Sequence, residues 1–401
     1  MRWRITSLLL NVAHAIDHLM LLVFATAVSA IATDFGIGRW EDLMPYTTVA
    51  FLLFGIGSLP AGRLGDLWGR RAMMLVFFFG MGASTMLIAL TQNAWQLAFA
   101  LGLMGAFSSI YHPVGIPMLL RHARTPGITI GINGMAGNLG IAAAAILTGF
   151  LIQYADWRAA FVVPGLVSIA CGLLFMKVAP PEHGAPGKQA VRQIELPTAT
   201  RNRVFLVMTT LAITSSIVFN FTTNGNGELL KARLPILVQQ PALLGTLLAV
   251  VYALSSVSQL AVGRLIDRFP IRNVMLGIYA FQGPVFLLAA YSQGWTLYAA
   301  MVFFMMLVFG AIPFTDAIVA RFVDDSIRSR VSGMRLAVSF GMSSMVVWAL
   351  GPAVKAAGFG FSLLVLGAVA LCSLLVTWKL PDEQNIRRAS ELHPPQARAS
   401  I

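Results

Sequence analysis

Gly62-Arg63-Leu64-Gly65-Asp66-Leu67-Trp68-Gly69-Arg70-Arg71 is answered 201 residues later by Gly263-Arg264-Leu265-Ile266-Asp267-Arg268-Phe269-Pro270-Ile271-Arg272. Each stretch follows an apolar run, near 43–62 and near 241–262, and about 20 apolar residues cross a bilayer core as a helix. Working outward, similar runs lie near 5–32, 72–91, 95–120, 127–154 and 158–177 in the first half of the chain. In the second half they lie near 204–225, 272–292, 295–321, 329–354 and 358–379. Arg121 and Arg321, each closing the fourth run of its set, are 200 residues apart. The reading is an all-α membrane protein of twelve transmembrane helices in two pseudo-symmetric six-helix bundles, an arrangement that transporters build from internal repeats.

Composition agrees. Of the 401 residues, 57% are hydrophobic and only 11% are charged, against about 25% charged in ordinary soluble domains. Lipid is therefore the expected partner of most of the surface. The net charge of +12 invites a nucleic-acid reading, but the basic residues sit in short clusters between apolar runs rather than on one contiguous face, and no nucleic-acid partner is expected. Cys171 and Cys372 both fall inside apolar runs and are read as buried thiols, with no disulfide framework and no metal site. The first run is too long for a signal-peptide core and is read as a retained helix. No phosphate-cradling Gly-x-x-x-x-Gly-Lys-Ser/Thr loop is present, which disfavours a nucleotide-driven pump.

The charge pattern orients the chain. An even helix count puts both termini on one side. That side collects Arg2, Arg4, Arg63, Arg70, Arg71, Arg121, Arg124, Arg264, Arg268, Arg272, Arg321, Arg328 and Arg330. The other side has Arg39, Arg158, Lys231, Arg233 and Lys355. Excess Lys and Arg marks the cytoplasmic side, so both termini are expected in the cytoplasm of a multi-pass inner (plasma) membrane protein. The organisation reads as a bundle over 1–178, a Pro- and Gly-rich linker over 179–203, a bundle over 204–380 and a polar tail over 381–401.

The first motif, with Gly62, Asp66, Gly69, Arg70 and Arg71, resembles the signature loop of the major facilitator superfamily. The second copy keeps Gly263, Asp267, Arg268 and Arg272 and carries Pro270 in place of a glycine. The resemblance covers the whole helical body. Glycine lets helix ends approach closely. An aspartate there can accept hydrogen bonds from a helix N-terminus and pair with arginines, forming a latch that breaks as the halves rock apart. The alternative is a basic loop without a gating role.

Ionisable residues inside a bilayer mark pathways or relays by default. The first helix carries His14, Asp17 and His18 on one face, and the fourth carries Tyr111-His112-Pro113. Helical rise puts Asp17 and His112 near mid-depth. The resemblance implies that the first and fourth helices line a central cavity, which places both residues in one chamber. A carboxylate beside an imidazole can exchange a proton near neutral pH. The competing readings are interhelical hydrogen bonding and direct substrate contact. The His and Asp pair, the Tyr-His-Pro and Gly137-Asn138-Leu139-Gly140 further resemble the fosmidomycin-resistance branch of drug exporters, which implies expulsion of small polar compounds in exchange for protons. Two departures stand against the wider antiporter pattern. The fourth helix has Leu101 near where an embedded arginine is usual, and the fifth lacks a Gly-Pro pair.

Asp316 is a second candidate proton site, or a partner of Arg321 or Arg335. Arg335 can hold an anionic substrate group or snorkel to the surface. Asn133, Asn138 and Asn220 are further polar candidates for the cavity. Asn220, Asn224, Gly225 and Asn226 suit a gate or helix break. The expected function is a secondary transporter without cofactor, acting as a monomer on a small molecule. It is read as an antiporter driving efflux on the proton gradient. A proton symporter importing an organic anion is the alternative, and a membrane enzyme is disfavoured because no nucleophile accompanies His112.

Overall fold

A carbonyl or amide facing lipid without a partner is costly, so a chain this apolar must satisfy its backbone within helices. The computed structural model describes residues 2–121, 123, 125–180, 198–323 and 325–381, and no strand occurs among them. The first half runs through α1 (Arg2–Asp34), α2 (Thr48–Trp68), α3 (Arg70–Ile88), α4 (Ala94–Leu120), α5 (Pro126–Tyr154) and α6 (Ala159–Val178). The second runs through α7 (Thr198–Arg233), α8 (Pro241–Arg268), α9 (Ile271–Tyr291) and α10, in two pieces, Gly294–Gly310 and Pro313–Phe322. A last helical stretch, Asp325–Thr377, is broken at Gly358, whose φ of 76° is left-handed. That backbone favours glycine and turns the chain, so α11 covers 325–357 and α12 covers 359–377. Twelve crossings result. The expected linker residues 181–197, the tail beyond 381 and Arg124 lie outside the described residues.

Both termini of this path lie on one face, here the terminal face; the opposite one is the distal face. Aromatic residues mark the distal boundary: Trp95, Tyr154, Tyr291 and Trp295 are strongly exposed at helix ends there, as amphipathic rings are at a membrane interface. Trp68 and Trp378 are exposed at the terminal boundary. Between the belts the helices point Leu59, Phe99, Leu166, Phe281 and Trp348 outward and bury Phe77, Phe78, Phe286 and Phe304.

The halves meet along two seams, α5 against α8 and α2 against α11. At the distal end of the first, Gly149 and Gly245 bring two backbones into contact, and a Cβ on Gly149 would overlap the Pro241 carbonyl. Polar bridges gather at this end: Lys355 to Asp42 at 2.5 Å, Ser29 Oγ to Glu228 Oε1 at 2.7 Å, and the Ala242 amide to Gln153 Oε1 at 2.9 Å. At mid-depth Asn138 donates to Gln259, and Phe54 packs on Phe340 with ring centroids 4.3 Å apart.

Several expectations need correction. The signature is no free loop: Gly62–Trp68 completes α2 and only Gly69, at φ 90°, interrupts the path into α3. Its repeat likewise completes α8 through Arg268. The internal hydrogen-bond ladder continues because lipid boundaries do not require a helix to end where apolar residues do. For the same reason α7 runs unbroken past Asn224, Gly225 and Asn226 to Arg233, so no helix break occurs there. Cys372 is exposed on the surface of α12 and Cys171 is half-buried; neither is a core thiol, since a small apolar group is at no disadvantage facing lipid.

Gly149→Val is expected to destabilise the protein by about 1–3 kcal/mol, because backbone atoms on the facing helix cannot yield. Gly277→Ala, at a site with no atom within 4 Å of an added Cβ, should not. Thermal inactivation midpoints in detergent measure the difference.

Candidate functional site

α1 passes midway through the first half with His14, Asp17 and His18 on one face, turned toward α4 and α5. On α4 the regular helix ends at Ser108, and Tyr111–Gly115 forms a π-helical turn before Ile116–Leu120 resumes. Pro113 lacks an amide hydrogen, and the wider turn accommodates the missing rung. The turn projects Tyr111 and His112 toward α1.

The cluster is densely bonded except at one gap. His14 Nδ1 lies 2.7 Å from the Asn133 carbonyl. A carbonyl only accepts, so Nδ1 carries the hydrogen, and neutral His14 offers Nε2 as an acceptor. His18 Nε2 lies 3.1 Å from that nitrogen and donates to it. Tyr111 donates to the Leu10 carbonyl at 2.9 Å, and its own oxygen accepts from Asn133 Nδ2 at 2.6 Å. Asn133 also donates to Asn11 Oδ1 at 2.9 Å. The His14 ring stacks on Tyr111 and meets His112 edge-on, with centroids 4.7 and 5.1 Å apart.

Asp17 is completely buried. Its Oδ1 accepts from Ser108. Its Oδ2 has no hydrogen-bond partner among the described residues, and neither has His112 Nε2. These two orphan atoms face each other at 3.8 Å, just beyond hydrogen-bond reach. Phe54 and Phe340 flank the imidazole with centroids 5.8 and 6.1 Å away. Arg335 on α11 is close enough to act electrostatically on His112 from the second half. An unpaired carboxylate in a dry site is costly, so the gap favours whatever neutralises it: a proton, a cationic imidazole or a shift that closes the distance. Ring nitrogens of His14, His18 and His112 lie within 4.8 Å of one another, near enough for a transition metal. The hydrogen bonds from His14 to Asn133 and from His18 to His14 account for both His14 nitrogens and for His18 Nε2 without an ion.

The remaining candidates lie elsewhere. Asp316 is exposed and pairs with Arg335 at 2.7 Å, and Arg335 also donates to Thr315 Oγ1 at 2.6 Å. Arg335 is mostly buried and held on α10 rather than extended to the surface, because two acceptors meet it there. Arg321 donates to the Ile266 carbonyl at 2.5 Å. Asn138 serves the seam between the halves, and Asn220 joins Ser216 and Ser343 in a neutral network between α7 and α11. Asp66 and Asp267 are exposed at the terminal face. Arg71 donates to the Ala179 and Met176 carbonyls at 2.8 and 2.6 Å, and its counterpart Arg272 lies over the Trp378 ring, 5.7 Å from its centroid. Ser108, Asn11, Phe54 and Phe340 were not anticipated. Ser108 stands one turn before His112 and Asn11 one turn before His14, a spacing that does signal a shared face. Phe54 and Phe340 carry no such signal.

The chain resembles the "Probable actinorhodin transporter" of Streptomyces coelicolor, at 26% identity over 216 residues covering 51% of this chain and 36% of that protein. It also resembles the "4-hydroxybenzoate transporter PcaK" of Pseudomonas aeruginosa, at 24% identity over 415 residues covering 94% and 91%. The chain spans about a third of the length of the curated relatives it matches first. The solved inward open conformation of the xylose transporter XylE from E. coli superposes with a TM-score of 0.78 at 14% identity, covering 97% of this chain and all of that one. The family model for the Major Facilitator Superfamily matches residues 10–240 and 234–399. With that match and that fold around a polar centre, the chain belongs to the Major Facilitator Superfamily.

Proposed function

We propose that the protein is a proton-coupled exporter of a small polar or amphiphilic compound, working by alternating access, with Asp17 and His112 as its coupling centre. The observation that carries this reading is the pair of buried, unpartnered atoms, Asp17 Oδ2 and His112 Nε2, facing each other at 3.8 Å. A proton arriving there joins two groups that otherwise stand unsatisfied, and it changes how His112 meets Phe340 and Arg335 of the second half. Proton occupancy is thereby linked to how the halves stand against each other. The groups that share this environment are His14 and His18 on α1, Tyr111 on α4, and Arg335 on α11 with its partner Asp316. The proton gradient is the energy source and no cofactor takes part.

Export is supported by the printed names of several relatives, among them a tetracenomycin C resistance and export protein and a lincomycin resistance protein. The charge asymmetry supports cytoplasmic termini in a bacterial plasma membrane, with the distal face outside. Import of an organic anion is the second reading, favoured by the relative that matches over nearly its whole length, the 4-hydroxybenzoate transporter.

In proteoliposomes, Asp17→Asn is expected to reduce gradient-driven flux to background while solute exchange without a gradient survives. His112→Ala should remove or shift the pH dependence of transport. Full proton-driven flux in both variants would reduce the cluster to interhelical bonding. The direction of accumulation under an imposed pH gradient decides between export and import. Asp66→Asn is expected to lower flux several-fold with unchanged insertion and melting; undiminished flux would show the signature aspartate to be a basic-loop neighbour without a gating role.

A further inference from the structure

A second feature of the molecule lies a long way along α1 from the coupling centre. A cavity of about 860 Å³ opens at the distal end between α1 and α5 of one half and α7, α8, α11 and α12 of the other. Its volume lies in the range that holds drug-sized ligands. Aliphatic side chains form much of the wall, and Trp40 and Phe359 lie on it with their rings nearly parallel, 14° apart and 6.1 Å between centroids. Four charged residues also reach it: Glu41, Glu228, Lys231 and Arg233.

Those charges do not cancel evenly. Glu41 is held by Arg39, outside the cavity lining, at 2.7 Å. That hydrogen bond, and then the carboxylate's charge, push the Arg39 guanidinium further up from its ordinary value. Glu228 is buried and accepts from Lys231 at 2.8 Å and from Ser29 at 2.7 Å. Both carboxylates are thus neutralised. Arg233 has no carboxylate partner among the described residues; its one hydrogen bond is a long contact of 3.4 Å to the Ala290 carbonyl. A guanidinium carries five donors in a planar fork matched to carboxylate or phosphate. The wall therefore presents one uncompensated cation beside an aromatic and aliphatic surface.

We infer that this cavity is a binding site for an organic anion with a flat apolar body, its carboxylate on Arg233 and its ring against Trp40 and Phe359. The site is independent of the Asp17–His112 reading and of transport direction, since the same vestibule captures a solute bound for import or holds one about to be released. Polar bridges between the halves border it at Ser29–Glu228 and at the Gly149 seam, so its occupancy bears on how the distal end opens.

Equilibrium binding tests this without any gradient, so its failure is separate from a failure of proton coupling. The full chain is placed in phosphatidylcholine nanodiscs and titrated with tritiated 1-naphthaleneacetate, with the uncharged 1-naphthaleneacetamide as competitor. Arg233→Gln is expected to weaken binding about tenfold or more, the loss of a charge-assisted hydrogen bond. Arg233→Lys should weaken it less, Trp40→Ala should weaken it with Arg233 intact, and the amide should fail to compete. Melting curves verify folding, and should Arg233→Gln not fold, Arg233→Lys and Trp40→Ala carry the test. Equal affinity in wild type and variants, no wild-type binding at millimolar probe, or full competition by the amide overturns the proposal. So does Arg233-dependent displacement of the probe by phosphatidylglycerol in the disc, which would assign the cation to a lipid headgroup.

Discussion

Asp17 stands in the middle of the membrane with Ser108 on one oxygen and nothing on the other. In lipid such a group is tolerated only where the surrounding structure holds it for a purpose or supplies a partner on demand. Much of the first half is arranged around it. The π-turn on α4 sets His112 across from it, the His14–Asn133 bond pins α1 to α5, and Tyr111 ties α4 to the Leu10 carbonyl. The neighbouring helices are thus joined by hydrogen bonds, while the Asp17–His112 gap stays open. Fully bonded polar groups rigidify their surroundings, so this frame holds the unsatisfied pair in place.

The internal repeat sharpens the point. The offset of 200 that relates Arg121 to Arg321 carries Pro113 to Pro313, where α10 is also interrupted, and His112 to Ile312, while Asp17 falls on Ile217 or, at the motif's offset of 201, on Val218. The backbone device is present twice and the ionisable chemistry once. The second half fills the corresponding space with neutral bonds among Ser216, Asn220 and Ser343. The duplicated proline thus marks a backbone feature common to both halves, and the carboxylate and imidazole are confined to the first. Arg335, held by Asp316 and Thr315, places a positive charge of the second half near His112.

The fold was legible in the sequence because lipid makes helix-forming runs long, apolar and separated by charge, and because the repeated motif pairs the halves. Helix ends were less legible. Amphipathic turns such as Gly62–Trp68 and Gly263–Arg268 remain helical at the interface although their composition reads as loop. Within the site, His14, Asp17, His18 and His112 announce themselves as ionisable residues in apolar runs. Ser108 and Asn11 are ordinary polar residues whose importance comes from who faces them. Phe340 reaches the cluster from the other half, and nothing local to it encodes that meeting. The π-turn was equally hidden: Pro113 announces an irregularity, but the kind of irregularity depends on how the neighbouring turns recover their bonds. The distal cavity was invisible for a different reason. Arg39, Glu41, Glu228, Lys231 and Arg233 read as surface charge until the fold shows which of them neutralise each other.

The distribution of contacts between the halves also bears on what the signature aspartates do. Bridges at Asp42–Lys355, Ser29–Glu228 and Gln153–Ala242, with the Gly149–Gly245 approach, join the two halves at the distal end. Asp66 and Asp267, at the terminal end, are exposed, while the arginines that follow them are occupied within their own halves, Arg71 by carbonyls at the end of α6 and Arg272 by Trp378 beyond α12. The arginines thus anchor each bundle internally and leave the aspartates available. Only contacts made and broken between the two bundles can bias how they stand against each other.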